Sequence, residues 1–398
     1  MKKILLKPVF TVIILLLLIS CTEPYALQSN TYESALVVEA TLTNEVKNQE
    51  VKITKSYRLE ERENEIETGA IVKIYGDNGT VHEFEEVDEV YKSTVPFQAV
   101  PNVFYYISIE TTNGNQYVSE TQKLPTTNPL GSITATNILK DGVRGVEIAA
   151  NSFDPTNSSK YYRYTYEETY KIIVPKWSPN KLTFTDDEEV IISLRDVAQT
   201  RECYSSNSSK NIIINTTSDL SEDRVNNFPI RFIPQNDYRI ANRYSILVKQ
   251  YVENFDSYNF YRILKSFSSS DNILSQVQPG FIYGNIQCTN NPNEKVIGLF
   301  DVTSVSERRI FFNYDELFPG ELFPNYFDTC EIKEYDASCF GITCVANGYH
   351  ALKSGYLSGN LVFYQNTGNI FKMVKPVCGD CTSFSSNIIP PFWQWKNL

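Results

Sequence analysis

Apolar and polar positions alternate with a period of two from Ala35 onward, where Leu36, Val38, Ala40 and Leu42 interleave with Val37, Glu39 and Thr41. That spacing predicts a half-buried strand, because successive strand side chains point to opposite faces of a sheet. Val51 and Ile53 continue a second strand, and Ile71–Tyr75 gives a third. Gly76-Asp77-Asn78-Gly79 supplies turn chemistry ahead of Val81–Glu85. After Tyr91–Val95, the stretch Phe104–Thr111 alternates again, and Asn113-Gly114-Asn115 turns the chain into Gln116–Leu124. About seven strands in some 90 residues, separated by Asn/Gly turns, predict a small β-sandwich over 35–124. Leu124-Pro125-Thr126-Thr127-Asn128-Pro129 then interrupts the pattern, as a domain boundary does.

From 130 to 398 the pattern predicts a larger β-rich domain. Tyr161–Val174 reads as one long aromatic strand and Tyr244–Tyr251 as another. Phe260, Ile263, Leu264 and Phe267 instead follow helical spacing, with Asp256 or Ser257 placed to cap the first turn. Leu220–Val225, behind Ser218, suggests a second short helix. The stretch Glu316-Leu317-Phe318-Pro319-Gly320-Glu321-Leu322-Phe323-Pro324 repeats itself once and reads as an ordered loop, because solenoid repeats have periods above about 20 residues. The 26 tyrosines and 23 phenylalanines, against 2 methionines, agree with a mainly β chain carrying one or two short helices.

The first twenty residues follow a different grammar. Lys2, Lys3 and Lys7 precede an apolar run from Val9 to Ile19, and Leu18-Ile19-Ser20-Cys21 closes it. This is the layout of a secretory signal over 1–20, too short for a bilayer span of about 20 residues. The closing residues resemble a lipobox, in which the cysteine is acylated and the preceding peptide removed. The expectation is a mature protein that begins at lipidated Cys21, with 21–34 as a polar tether and no cofactor beyond that lipid. Removing residues 1–20 deletes three lysines and no acid, which moves the formal charge from −11 to −14. Such a surface does not suit nucleic acid or anionic lipid, whose binding draws on excess Lys and Arg.

Seven cysteines remain after Cys21: Cys203, Cys288, Cys330, Cys339, Cys344, Cys378 and Cys381. Export favours disulfides, and an odd number leaves one thiol over. Cys203 and Cys288 both lie in strand-like segments and are expected to pair; the other five share two bridges. Cys378-Gly379-Asp380-Cys381 has the CxxC spacing of redox and zinc sites. Its Pro376 and Ser-rich flanks offer no helix N-terminus to lower a thiol pKa, and thiolate zinc competes poorly with oxidation outside the cell. No metal site is expected.

Catalytic material is sparse. His82 and His350 are the only histidines, and no nucleophile elbow, His-Glu-x-x-His helix or phosphate-cradling glycine loop occurs. Asp186-Asp187-Glu188-Glu189 lacks the glycine and alternating carboxylates of a calcium loop and reads as a solvated turn. No catalytic residue is assigned, and the chain is expected not to be an enzyme. A hydrolase would need convergent acids in a deep cleft, and such pairs arise from distant strands. Trp177, Trp393, Trp395, Tyr161, Tyr162, Tyr164 and Tyr166 could offer flat apolar faces to a peptide or glycan, but ordinary strand packing is the preferred reading and burial is expected. The ligand-binding residues are left unassigned.

Several stretches together resemble the DUF4249 family of Bacteroidota lipoproteins. They include Cys21-Thr22-Glu23-Pro24-Tyr25, Leu36-Val37-Val38-Glu39-Ala40 and Gly69-Ala70-Ile71-Val72-Lys73-Ile74. Further on come Pro229-Ile230-Arg231-Phe232-Ile233-Pro234, Arg243–Tyr251, Gly284-Asn285-Ile286-Gln287-Cys288, Arg308–Phe312, and Cys378–Cys381 running on to Pro391-Phe392-Trp393. The resemblance implies an outer-membrane lipoprotein with an immunoglobulin- or transthyretin-like first domain. Of its two faces the cell surface is preferred and the periplasmic face stays open, since Thr22-Glu23 after Cys21 is a thinner acidic cluster than surface-export signals carry. The resemblance also implies association with TonB-dependent transporters of the starch-utilisation type. The expected role is an accessory that captures ligand for, or caps, such a transporter; a surface adhesion or structural lipoprotein and a surface hydrolase are the alternatives. The Thr382–Asn387 stretch departs from the family's Gly-Gly-Thr-like sequence after its CxxC.

Overall fold

A computed structural model describes residues 35–56, 65–196, 199–268 and 282–393. Cys21, the segment before it, the tether and Trp395 lie outside the described residues. The described chain is mainly β, as its alternation predicts. Among the described residues no helix is long and apolar enough to cross a membrane.

Strand Leu36–Thr43 buries Leu36, Val38, Ala40 and Leu42, the predicted inward set. It pairs antiparallel with Glu50–Lys55, Val38 opposite Ile53. Its other neighbour is distant in sequence: the start of strand Val296–Asn313 runs parallel to it, Val38 opposite Gly298 and Leu42 opposite Val302. Parallel neighbours need a crossover connection, and here the crossover contains most of the second region. Ile286, Phe300 and Val302 consequently share one core with Val51, Ile74, Ile107 and Tyr117. The first core therefore takes residues from both sides of the 124–129 break.

Close backbone approach makes that insertion possible. A Cβ on Gly284 would lie 1.5 Å from the Gly298 carbonyl oxygen, and one on Gly298 would lie 3.0 Å from Val38 Cβ. Beside them the buried Asn285 imitates a strand. Its amide nitrogen donates to the Phe300 carbonyl at 2.8 Å, and its oxygen accepts from the Phe300 N–H at 2.8 Å.

Beyond Thr303 the same strand changes partner. Ser304 to Asn313 pairs antiparallel with Arg243–Glu253, which pairs in turn with Tyr161–Ile173. One sheet of fifteen strands thus runs through both regions. A separate three-stranded sheet of Leu130–Lys140, Val143–Asp154 and Asp223–Pro234 covers its second half. Ile133, Val146, Ile148 and Ile233 of this layer share a core with Tyr162, Tyr164, Tyr244 and Ile246 of the large sheet, the arrangement of a sandwich. A smaller unit combines strands Lys333–Asp336, Val362–Thr367 and Ile370–Val374 with helix Tyr349–Leu357 and the hairpin Asn180–Phe184/Val190–Leu194.

Three local expectations change. The predicted helix forms over Phe255–Ser268, but neither Asp256 nor Ser257 caps it. Asn254 does, its Oδ1 accepting from the Ser257 N–H at 2.8 Å, while Ser257 Oγ donates to Asp301 at 2.7 Å. Leu220–Val225 is not a helix, because Asp223 begins strand Asp223–Pro234. The buried Asp223 carboxylate accepts from Thr217 Oγ1 at 2.6 Å and Tyr162 OH at 2.7 Å, which holds the chain extended. The Glu316–Pro324 stretch starts inside a helical turn, Tyr314–Leu317, and continues as loop.

The disulfides are Cys203–Cys381, Cys330–Cys378 and Cys339–Cys344, with Cys288 free and buried. The expected Cys203–Cys288 bridge is corrected by topology. Cys288 pairs through its strand with Gln116–Ser119 at one end of the large sheet, and Cys203 lies on Glu202–Ser208 at the other. The CxxC cysteines bind different partners, and Cys378 sits in a single helical turn, Pro376–Gly379, that the flanking sequence did not suggest.

Candidate functional site

Two places concentrate chemistry, and they differ in access. The first is built on Glu168, which is buried in the middle of strand Tyr161–Ile173. Its carboxylate accepts from Arg239 Nη1 at 2.9 Å, Arg231 Nε at 3.3 Å and Tyr244 OH at 2.6 Å. Arg239 also grips Asp237, Nε to Oδ1 at 2.9 Å, and Asp237 Oδ1 accepts from the Arg239 N–H at 3.0 Å. Burial opposes the Asp237 charge, but the hydrogen bonds from Arg239 outweigh it and hold the carboxyl below its usual range. The bond to Asp237 in turn raises Arg239. These contacts fix the turn 236–240 above the sheet.

A second segment is fastened opposite. Tyr326 OH donates to the Val377 carbonyl at 2.6 Å, Lys375 Nζ bonds Asp328 Oδ2 at 2.8 Å, and Cys330 is bridged to Cys378. Phe384 follows Cys381, which Cys203 ties to the sheet. Between these segments lies an open-sided hollow of about 550 Å³ lined by Tyr170, Asn207, Asn236, Asp237, Tyr238, Arg239, Asn325, Tyr326 and Phe327. Its rings are in contact, Tyr170 to Tyr238 at 5.9 Å and Tyr238 to Phe327 at 4.9 Å, and Phe384 beside the hollow extends the series, 5.5 Å from Phe327. Phe327 is 46% exposed and Phe384 37%. Exposed rings beside amides and phenols give the hollow an apolar and a hydrogen-bonding character together, the combination that ligand sites use.

The other concentration is a carboxylate pair. Glu253 and Asp301 are fully buried; Arg163 Nε bonds Glu253 Oε1 at 2.7 Å, and its Nη2 lies 3.9 Å from Asp301 Oδ2. The Arg163 guanidinium is stacked between Tyr251 and Tyr261, 4.1 and 4.6 Å from their ring centres. Burial, and then the Asp301 charge, push the Glu253 carboxyl well above its usual range. A hollow of about 760 Å³ opens over Arg163, walled by Phe260 and Leu264 of the helix and by Val37, Glu39 and Thr41 of the first strand. Arg163 and the two rings floor it, so the acids behind have no surface within it. Acid–base catalysis needs the carboxyl within hydrogen-bond reach of the reacting atom. The geometry instead pins the helix to the sheet, with Ser257 adding its bond to Asp301.

Tyr162, Tyr164 and Trp393 are buried and Tyr161 and Tyr166 partly so. Trp393 packs on Tyr204 and Phe311, and Trp177 donates to Thr200 Oγ1 at 3.0 Å. His82 lies flat on Phe97 at 3.6 Å, half-buried, and burial lowers its pKa. His350 is exposed in the first turn of helix Tyr349–Leu357 beside Phe340. Asp186–Glu189 forms the exposed turn of a hairpin. Among the described residues Asp328, Cys330 and Cys378 come close enough to share an ion, but both thiols are spent in their disulfide. The cradle residues Tyr170, Tyr238, Tyr326, Phe327 and Phe384 were not singled out by sequence, since nothing local separates a platform phenylalanine from a packed one.

A protein-family model described as Domain of unknown function (DUF4249) matches residues 22–309. No curated protein matches the chain. The matched stretch contains Tyr170, Asn207 and the 236–240 turn; Asn325, Tyr326, Phe327 and Phe384 lie beyond it.

Proposed function

The chain belongs to the DUF4249 family, and from that premise we propose that it is a lipid-anchored outer-membrane accessory protein that captures ligand for a TonB-dependent transporter. The observation that carries the reading is the contrast between the two sites. The aromatic hollow is open and held in shape by two disulfides, whereas the carboxylate pair is sealed behind Arg163. A site fixed before binding loses less conformational freedom when ligand arrives, which favours capture. A buried acid pair without access favours a structural role over hydrolysis, so the proposal is non-enzymatic.

Lipid on Cys21 would confine the protein to the plane of its transporter on the cell surface. Confinement raises the effective concentration of the partner, so a weak interface suffices. The sandwich that begins at Leu36 would act as spacer or docking module and the second region would present the ligand. The test is affinity purification of the full-length lipoprotein from detergent-solubilised outer membranes. Co-recovery of a TonB-dependent transporter is expected; recovery alone, or with cell-wall or host material in its place, would favour the adhesion or structural role. Protease shaving of intact cells checks the surface location.

A further inference from the structure

We infer that the aromatic cradle takes a neutral, polyhydroxylated chain, that is, an uncharged glycan; this rests on the ligand-capture reading and names its ligand class. The lining has no charge to spare. Arg239 is bound to Asp237 and Glu168, and the nearby Asp328 is bound to Lys375. A charged ligand would meet charges already compensated within the protein, so it would gain less here than beside an unpaired ion. What faces a ligand is amide and phenol: Asn236 and Asn325 are exposed, as is Asn207, whose Nδ2 donates to the buried Tyr170 OH at 3.3 Å, and Tyr170 and Tyr238 bring their hydroxyls to 3.4 Å of each other. Amides and hydroxyls both donate and accept, as sugar hydroxyls do.

The ring strip supplies the second half of the recognition. An aromatic face is electron-rich, so it attracts the weakly positive C–H face of a sugar ring. The rings succeed one another from Tyr238 through Phe327 to Phe384, inclined by 54° and 78°, so they are separate contact points spaced along a line and suit several linked units better than one flat ring. An extended peptide is the competing ligand, and it would draw on a free strand edge. The adjacent edge strand Glu202–Ser208 is occupied at Tyr204, whose N–H donates to the Ser386 carbonyl at 2.8 Å.

The experiment is calorimetric titration of the full chain in detergent with maltohexaose, cellohexaose, mannohexaose and xylohexaose, and with hexagalacturonate and hexa-alanine as charged and peptide probes. At least one neutral hexasaccharide should bind, and neither hexagalacturonate nor hexa-alanine should. Phe327→Ala should weaken binding about tenfold, the equivalent of about 1.4 kcal/mol, with an unchanged melting temperature. Asn325→Ala should weaken it as well, and Leu322→Ala, at a side chain 94% exposed outside the hollow, should not. Binding of none of the four sugars, preference for either other probe, or sugar binding indifferent to Phe327→Ala overturns the inference. If a transporter co-purifies while all four sugars fail, the ligand class falls and the accessory role stands. Sugar binding without a transporter has the reverse meaning.

Discussion

Cys203 and Cys381 are 178 positions apart and joined by a disulfide, their Cα atoms 5.8 Å from each other. The bridge seats the 381–386 segment on strand Glu202–Ser208, where Ser385 Oγ donates to the Tyr204 carbonyl at 2.8 Å. Phe384 is thereby carried to the side of Phe327. Replacing both cysteines by alanine should lower stability by about 2–5 kcal/mol, since the bridge closes a long loop of the unfolded chain. Urea unfolding without reductant measures the loss, and an unchanged midpoint would reject the bridge.

Glu253 ties stability to pH. Its carboxyl is raised in the folded state, by burial first and by Asp301 second. A folded acid raised above its unfolded value of about 4.3 keeps its proton longer than the unfolded chain does, so its contribution is complete below that pH and declines as pH rises toward the folded value. Glu253→Gln should remove this slope: the amide oxygen still accepts from Arg163 while the nitrogen donates toward Asp301. At neutral pH the variant should equal or exceed the parent in stability, and the slope across the acidic range should flatten. Thermal melts from pH 4 to 8 decide it.

The Glu168 post is expected to support the cradle. Glu168→Ala leaves Arg231, Arg239 and Tyr244 without their shared acceptor and should cost about 3 kcal/mol. Tyr244→Phe removes one buried bond to a charged group and should cost about 1.5–3 kcal/mol. Denaturant unfolding of the two single variants, with the double variant to close the cycle, measures both.

Two glycines should respond to alanine very differently. At Gly284 the added carbon meets backbone at 1.5 Å, so the inserted strand must move, and a loss above about 4 kcal/mol is expected. At Gly79, φ +87°, nothing lies within 4 Å, so backbone strain alone operates, at about 1–2 kcal/mol. Equal losses would mean that 284 and 298 do not approach as described.

Cys288 is 8% exposed and outside all three bridges. In the folded, unreduced lipoprotein it should resist iodoacetamide, and unfolding should release one alkylatable thiol. A second, mapping to Cys21, would show that the thiol is not acylated.

Alternation made much of this fold legible. Leu36, Val38, Ala40 and Leu42 are inward because a two-residue period leaves them no other consistent face, and Phe260, Ile263, Leu264 and Phe267 lie in a helix for the corresponding reason at 3.6. Turn chemistry at 76–79 and 113–115 placed hairpins where Gly79 and Gly114 take positive φ. Where a side chain had to choose among neighbours, the local pattern was silent. Asn254 caps the helix because Asp301 takes the Ser257 hydroxyl, and Asp223 is in a strand because Tyr162 and Thr217 bind its carboxylate.

Periodicity and composition by themselves settled the mainly β class, the leading strands, the main helix and the surplus of one among the seven cysteines. Tertiary structure alone decided that Val296–Thr303 lies beside Leu36–Thr43, that Cys203 meets Cys381, and that Tyr170, Tyr238, Phe327 and Phe384 make one surface. The physical reason is range. A residue's face depends on its immediate neighbours through backbone geometry, whereas its partner depends on where chain hundreds of positions away is free to pack.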